Sequence, residues 1–581
     1  MAIHQHVLNL VELCVRKGVR QAVISPGSRS APLTLALARH PAMTTRVVAD
    51  ERSAGFIALG IAQQIRQPVI VVCTSGSAVY NLAPAVAEAY FQEIPLLLLT
   101  ADRPKEWTHQ QDGQTIYQTG IFGQHVKKSF ELPADFVHPD ASWFAGRVSN
   151  EAIDLARTEP RGPVHINLPL REPLYPTGDE TFQFGPVRVI EQVSASPVLS
   201  SETWHQLQDE WESAERKLIA IGQGPHDPAM LAVLKKISDE WQIPVVGDVI
   251  SNLPRNGEFI TQTDVFLGVS DETVKENLVP DLLITCGQSF ISKQLKLFLR
   301  NYPPRQHWQI QPHRRLADPF QSLTRLIPHE PVAFFQKLFS DIDYQRFVSN
   351  DHETDSDDSF QENWQTLDRK ARRLVQQFLN DDAVFHEWAV IQRILDALPT
   401  NSQLHVANSM PVRYVNLSGI SENQRVEVFA NRGTSGIDGC LSTAVGAALT
   451  TEKIVTALLG DVAFFYDRNA LWNNLIPANL RVIVLNNHGG NIFRIIDGPN
   501  QQPELEPYFE TSQPLSARNT AKDAGLFYQK VTSFEELEAV LPHFFAESAT
   551  GKLLEIETDR RINAEQFQRY KQMVQETFRT P

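Results

Sequence analysis

Four stretches of this chain are apolar with almost no polar residue between: Val69-Ile-Val-Val-Cys73, Leu96-Leu-Leu-Leu99, Ile454-Val-Thr-Ala-Leu-Leu459 and Val482-Ile-Val-Leu485. A strand with one wet face alternates apolar and polar residues. Runs like these are buried on both faces, as in a mostly parallel sheet covered by helices on either side. Each run ends in small or polar turn residues, and a helical pattern follows. Val23-Ile-Ser25 leads into Pro26-Gly-Ser-Arg-Ser30 and a helix over 32–39. Val69–Cys73 leads into Thr74-Ser-Gly-Ser-Ala78 and a helix reaching Tyr90, with further strands at 96–100 and 164–167. In such sheets ligands lie beyond the strand C-termini, so the polar turns are where function is sought.

The chain is too long for one core: 581 residues, at roughly 100–200 per domain, imply several. Residues 176–200, with Pro176-Thr-Gly and Ser194-Ala-Ser-Pro197, have linker composition. A second unit follows, with strands at Lys217-Leu-Ile-Ala-Ile221, Pro244-Val-Val246 and Asp281-Leu-Leu-Ile-Thr285. The polar acidic run 350–359 reads as a solvated connection. A third unit starts near residue 383, with strands at 404–407, 426–429, 454–459, 482–485 and 553–557. The expectation is three doubly wound α/β domains with mostly parallel sheets, over 1–180, 195–345 and 380–581. No short tandem repeat is visible.

The net charge of −15 argues against a nucleic-acid protein working through a general basic surface. An anionic substrate would need cations gathered locally against that field. Cys14, Cys73, Cys286 and Cys440 lie far apart with no CxxC pair, which fits a reducing cytoplasm better than a disulfide framework or a cysteine-held zinc. No run of 18 apolar residues suggests a membrane span, and the first 18 residues show no signal-peptide pattern.

The chemistry concentrates in Leu458-Leu-Gly460-Asp461-Val462 and in Asn486-Asn487-His-Gly489-Gly490, each at the end of an apolar strand and so on one rim of one sheet. The Asp461 carboxylate, the Asn487 amide oxygen and a loop carbonyl at Gly489 are hard oxygen donors. With diphosphate oxygens and a water they would complete the octahedron of Mg²⁺, or of Mn²⁺ in its place. Gly460 would let backbone approach the phosphates, whose charge the following helix N-terminus favours. The pair resembles the thiamine-diphosphate motif, Gly-Asp-x followed after about 25 residues by Asn-Asn. Such enzymes also need a glutamate from another domain, hydrogen-bonded to the aminopyrimidine. Val47-Val-Ala-Asp50-Glu51-Arg52 offers Glu51 where a strand gives way to a helix.

Six segments in order narrow the resemblance, and it spans essentially the whole chain. They are Ser25-Pro-Gly-Ser-Arg-Ser30, Asp50-Glu51-Arg52, Leu99-Thr-Ala-Asp-Arg-Pro104, Asn408-Ser409 with Arg413, Asn431-Arg-Gly-Thr-Ser-Gly-Ile-Asp-Gly439 and Asn486-Asn-His-Gly-Gly-Asn-Ile-Phe493. The set is similar to the 2-succinyl-5-enolpyruvyl-6-hydroxy-3-cyclohexene-1-carboxylate synthases of menaquinone biosynthesis, the MenD family. Val462, where many thiamine enzymes have glycine, agrees with that family. The resemblance implies joining 2-oxoglutarate to isochorismate with loss of CO₂, in a homodimer or dimer of dimers whose active sites lie between chains.

By the same resemblance Glu51 is the catalytic residue. Ser28, Arg29, Arg103, Gln114, Lys293, Ser409, Arg413 and Arg432 would bind substrate, arginine suiting carboxylates because its planar fork binds them bidentately. Ile437 would wedge under the cofactor, and Ile492 and Phe493 would wall off water. Gln294 stands where many relatives place a second basic residue after the lysine. The nearest alternative is another thiamine-dependent 2-oxo-acid decarboxylase or carboligase, sharing Glu51, Asp461 and Asn487. A nucleotide-binding oxidoreductase has only Gly222-Gln-Gly224-Pro to support it, a poor phosphate fingerprint.

Overall fold

The computed structural model describes residues 4–176, 181–193, 198–349, 358–381 and 383–579. The sequence readings that fall on 177–180, 194–197 and 350–357 lie outside the described residues.

Three parallel sheets organise the chain. The first contains β1 (Gln21–Ile24), β2 (Thr44–Val47), β3 (Val69–Cys73), β4 (Leu96–Asp102), β5 (Ser129–Glu131) and β6 (Val164–Pro169), in the order β2-β1-β3-β4-β6-β5. The second contains β7 (Lys217–Ile221), β8 (Val245–Gly247), β9 (Leu282–Cys286), β10 (Gln306–Gln311) and β11 (Arg325–Pro328), in the order β11-β10-β9-β7-β8. The third contains β12 (Gln403–Val406), β13 (Glu427–Phe429), β14 (Val455–Gly460), β15 (Leu480–Asn486), β16 (Phe527–Val531) and β17 (Lys552–Glu557), in the order β13-β12-β14-β15-β17-β16. The first and third sheets are wound identically, a likeness that no short repeat in the sequence announces. The α/β class expected from the unbroken apolar runs is the class found.

Those runs are unbroken because successive side chains serve two different cores. On β14, Val455, Ala457 and Leu459 pack with first-domain residues such as Phe56 and Ile57, whereas Leu458 joins the core shared with the middle of the chain. On β15, Val482 and Val484 face the first side, and Ile483 and Leu485 the second. The third sheet is therefore packed between the other two layers, and its strand ends lie among all three.

Two segments differ from their compositional reading. Residues 181–193 are fastened along the first domain: Phe182 lies under the Arg39 guanidinium, 4.4 Å to its centroid, and Asn150 holds both the Arg188 carbonyl and the Ile190 N–H, at 3.0 and 2.8 Å. The 23-residue helix Asp358–Asn380 occupies a stretch for which the sequence suggested no element. Its Phe360, Trp364 and Phe378 are buried in the core common to the second and third sheets. Asp368 on it, fully buried, accepts the N–H groups of Thr261 and Gln262, each at 2.8 Å. Among the described residues no helix is long and apolar enough to cross a membrane.

Candidate active site

β14 and β15 are neighbours in register, with Gly460 opposite Leu485, so Asp461 and Asn487 open adjacent loops on one rim. Asp461 begins the helix Asp461–Tyr466 and is 1% exposed. One of its carboxylate oxygens accepts the Val462 N–H and the other the Gln513 amide, both at 2.8 Å. Burial raises its pKa to about 6, with the amide donors opposing. No ion pair meets it among the described residues.

Asn487 has its amide nitrogen spoken for and its oxygen unmet. Nδ2 donates to Glu387 Oε1 at 2.5 Å, and the buried Oδ1 has no hydrogen-bond partner among the described residues. Burying an unpartnered amide oxygen is unfavourable unless another group meets it. Beside a buried carboxylate, it completes a pair of donors suited to a hard cation. Among the described residues no three His, Cys, Asp or Glu side chains form a cage that would hold a metal without such mixed donors. A Cβ built on Gly460 would meet nothing within 4 Å, so the backbone is bare where a diphosphate would lie. Gly489 follows His488, which is left-handed at φ 64°, and a Cβ on Gly489 would fall 2.7 Å from the Glu510 carbonyl. The residues present fit Mg²⁺ with a diphosphate.

Glu51 is half-buried at the start of the helix Glu51–Ile65, which Asp50 caps through the N–H groups of Arg52 and Ser53. Its carboxylate accepts the Asn81 amide at 3.1 Å. The residues on either side hold the third domain of the same chain: Asp50 accepts Asn469 Nδ2 at 2.7 Å, and Arg52 donates to the Tyr466 carbonyl at 2.6 Å. No hydrogen bond or ion pair joins Glu51 to the Asp461 or Asn487 loops among the described residues.

The cations form two groups. On the first-domain rim, Arg29 is 7% exposed and donates to the Leu170 carbonyl at 3.0 Å. Its pKa is lowered by burial and then by the charge of nearby Arg103. Arg103 is braced by Asp112 and the Gly113 carbonyl, both at 3.0 Å. Ser28 touches Tyr175 OH at 3.3 Å, and Gln114, at φ 57°, lies against Gly76. The second group lies between the third and middle domains. Ser409, left-handed at φ 74°, starts the helix Met410–Ser418, and Arg413 one turn on donates back to its carbonyl at 2.5 Å. Arg432 donates to Asn408 Oδ1 at 2.9 Å, and its pKa is lowered by burial and then by Arg413, so the two guanidinium groups are close.

Lys296, which the sequence did not single out, joins this second group. It donates to the Phe290 carbonyl at 3.0 Å, and its pKa is lowered by burial, with Arg432 also lowering it and Asp248 opposing. Lys293 is exposed at the first position of the helix Lys293–Asn301, and no contact ties it to Arg413 or Arg432. Gln294 turns toward Gly268, where a Cβ would sit 2.9 Å from its amide carbon. Ile437 is partly buried and packs on the core shared by the first and third domains. Ile492 packs on the other core, and the Phe493 ring lies 5.8 Å from that of Phe509.

Two carboxylates escaped the sequence reading. Glu88 is 1% exposed, and it accepts the N–H groups of Gly433 and Thr434 at 2.8 and 2.7 Å, together with the Thr434 hydroxyl. It thus holds the loop carrying Arg432 and Ile437. The signal was present, since Glu88 is the one charge in Ala83–Phe91. Glu387 is 2% exposed at the first position of the helix Glu387–Ala397, and burial raises its pKa to about 7. A glutamate there reads as an ordinary partner of the helix dipole, so nothing local marked it.

Residues 8–122 match the family described as thiamine pyrophosphate enzyme, N-terminal TPP binding domain, and residues 189–406 the family described as middle domain of thiamine pyrophosphate. The chain is similar over nearly its full length to proteins named 2-succinyl-5-enolpyruvyl-6-hydroxy-3-cyclohexene-1-carboxylate synthase. That of Cytophaga hutchinsonii is 44% identical over 99% of this chain and 100% of its own length. That of Porphyromonas gingivalis is 40% identical over 96% and 94%, and that of Christiangramia forsetii 37% over 96% of both. The chain belongs to the 2-succinyl-5-enolpyruvyl-6-hydroxy-3-cyclohexene-1-carboxylate synthase family of thiamine-diphosphate enzymes.

Proposed function

We propose that this enzyme joins 2-oxoglutarate to isochorismate with release of CO₂, forming 2-succinyl-5-enolpyruvyl-6-hydroxy-3-cyclohexene-1-carboxylate for menaquinone biosynthesis. Bound thiamine diphosphate supplies the electron sink for decarboxylation of a 2-oxo acid. Glu51 holds the aminopyrimidine by a carboxyl hydrogen bond and governs its proton. Asp461, Asn487 and the Gly489 carbonyl hold Mg²⁺ or Mn²⁺, and Gly460 leaves room for the diphosphate. That set would hold the metal as a template for the diphosphate. Ile437, Ile492 and Phe493 form apolar walls that exclude water.

Beyond family membership, one observation carries the choice of substrates: arginines gather in pairs, Arg29 with Arg103 and Arg413 with Arg432, in a chain of net charge −15. Two dicarboxylates need such pairs. Ser28 and Gln114 accompany the first pair, and Ser409 the second. Lys293 would reach the site from the middle domain, where Lys296 neighbours Arg432. The domains run over 1–180, 195–345 and 380–581. The active form is a dimer or a dimer of dimers with sites between chains, as the family resemblance implies. Four buried, unpaired thiols support a cytoplasmic location.

The test is CO₂ release from 2-oxoglutarate with thiamine diphosphate and Mg²⁺, with and without isochorismate. Product that appears only with isochorismate is expected. Equal turnover of pyruvate without any isochorismate adduct would instead identify a different decarboxylase or carboligase.

A further inference from the structure

We propose that Glu387 is a positioning residue that decides which end of the Asn487 side-chain amide faces the metal. The proposal rests on the reading of Asn487 as a metal ligand. An asparagine amide is nearly symmetric in shape, so its hydrogen-bonding surroundings choose between presenting an oxygen and presenting an NH₂. A cation is held by the first and repelled by the second.

The polar groups around Glu387 form a chain that fixes its position. Asn563 Oδ1 accepts the Glu387 backbone N–H at 2.9 Å, while Asn563 Nδ2 donates to the Thr558 hydroxyl at 3.1 Å. The Thr558 hydroxyl also favours the charged form of Glu387. Thr558 is anchored in turn, its N–H donating to the Asn486 carbonyl at 3.1 Å, next to the metal loop. Glu387 therefore serves as an acceptor, and it takes Asn487 Nδ2. A reversed amide would set Oδ1 against a buried carboxylate oxygen. Oδ1 is left facing away from Glu387 with no protein donor among the described residues, free for a cation. Partners behind a metal ligand fix its orientation in this way in other metal sites.

The experiment is a Mg²⁺ titration of the enzyme with saturating thiamine diphosphate, read by calorimetry, with thermal unfolding followed in parallel. Glu387→Gln can offer Asn487 either an oxygen or an NH₂ and should weaken Mg²⁺ about tenfold. Glu387→Met offers no acceptor and should weaken it by about 10–100-fold. Should the methionine variant fail to fold, the near-isosteric glutamine variant carries the test. Asn487→Ala in the same titration examines the underlying reading: unchanged Mg²⁺ affinity there refutes the ligand assignment and the proposal with it. If Asn487→Ala weakens Mg²⁺ but neither Glu387 variant does, the ligand stands and the positioning role is overturned. In the Asn487→Ala background, Glu387→Gln should change Mg²⁺ affinity by less than about twofold. An undiminished loss there would mean that Glu387 acts by another route, and would also overturn the proposal.

Discussion

Gly60 and Gly446 bring two helices into backbone contact. A Cβ at Gly60 would lie 2.0 Å from the Thr443 carbonyl oxygen, and one at Gly446 would lie 2.1 Å from that of Ile57. The helix Glu51–Ile65 and the helix Cys440–Ala448 are therefore locked face to face. The first begins with Glu51 and the second follows the loop bearing Ile437, so the crossing fixes two site elements relative to one another.

Gly60→Ala should destabilise the protein by about 1–3 kcal/mol, because backbone cannot move aside as a flexible side chain can. Gly146, inside the helix Pro139–Arg157, has nothing within 4 Å of a built Cβ. Gly146→Ala should stabilise by up to about 1 kcal/mol. Urea unfolding of the two variants checks both signs, and equal effects would mean that the crossing is not tight in solution.

Asp461→Ala should lose thiamine-diphosphate affinity, with only partial rescue by excess Mg²⁺ and cofactor. Glu51→Gln should keep near-normal affinity but slow hydrogen–deuterium exchange at the cofactor's thiazolium C2. Calorimetry and exchange NMR separate the two residues. Unchanged binding in the first variant removes Asp461 from the metal, and unchanged exchange in the second removes Glu51 from catalysis.

Arg413→Ala should weaken 2-oxoglutarate selectively, by roughly 1.5–3 kcal/mol for a lost charge-assisted hydrogen bond. Lys296→Gln should produce a smaller loss in the same direction if Lys296 acts with Arg432. Apparent affinities for each substrate are the measurement, and an equal loss for both substrates would mark these residues as structural.

Asp467 is fully buried, accepts the Ser442 N–H and hydroxyl at 2.7 and 2.8 Å, and has its pKa raised by burial to about 7. An unfolded aspartate titrates near 3.9. Between about pH 4 and 7 the folded chain therefore holds a proton that the unfolded chain lacks, and stability falls as pH rises through that window. In Asp467→Asn this contribution is absent, so unfolding free energy should decline less steeply from pH 5 to 7 than in wild type. Parallel slopes would mean that Asp467 does not titrate there.

Mixing Glu51→Gln with Asp461→Ala after dissociation tests the inter-chain site. About half the dimers should be mixed, and two-fold symmetry gives each mixed dimer one intact site, restoring about a quarter of wild-type activity. A site built within a single chain would restore none.

The layers and the rim are legible in local residue order. Unbroken runs such as Val69–Cys73 and Val482–Leu485 are explained only by burial on both sides; Asp461 and Asn487 follow two such runs, and Glu51 opens the helix after the more exposed strand Thr44–Val47. Those features are local, since apolar periodicity and turn chemistry are written in a few adjacent residues. What depends on distant partners is settled by packing. The amide of Asn487 is oriented by Glu387, one hundred positions earlier, and the Arg432 loop is held by Glu88, some three hundred and forty-five positions earlier. The same holds for Lys296, whose helix face meets Arg432 only after the middle and third domains dock. A charge in an apolar helix or at a helix start has the same local appearance whether it caps, solubilises or positions. Which of these it does is fixed by the groups that burial brings against it.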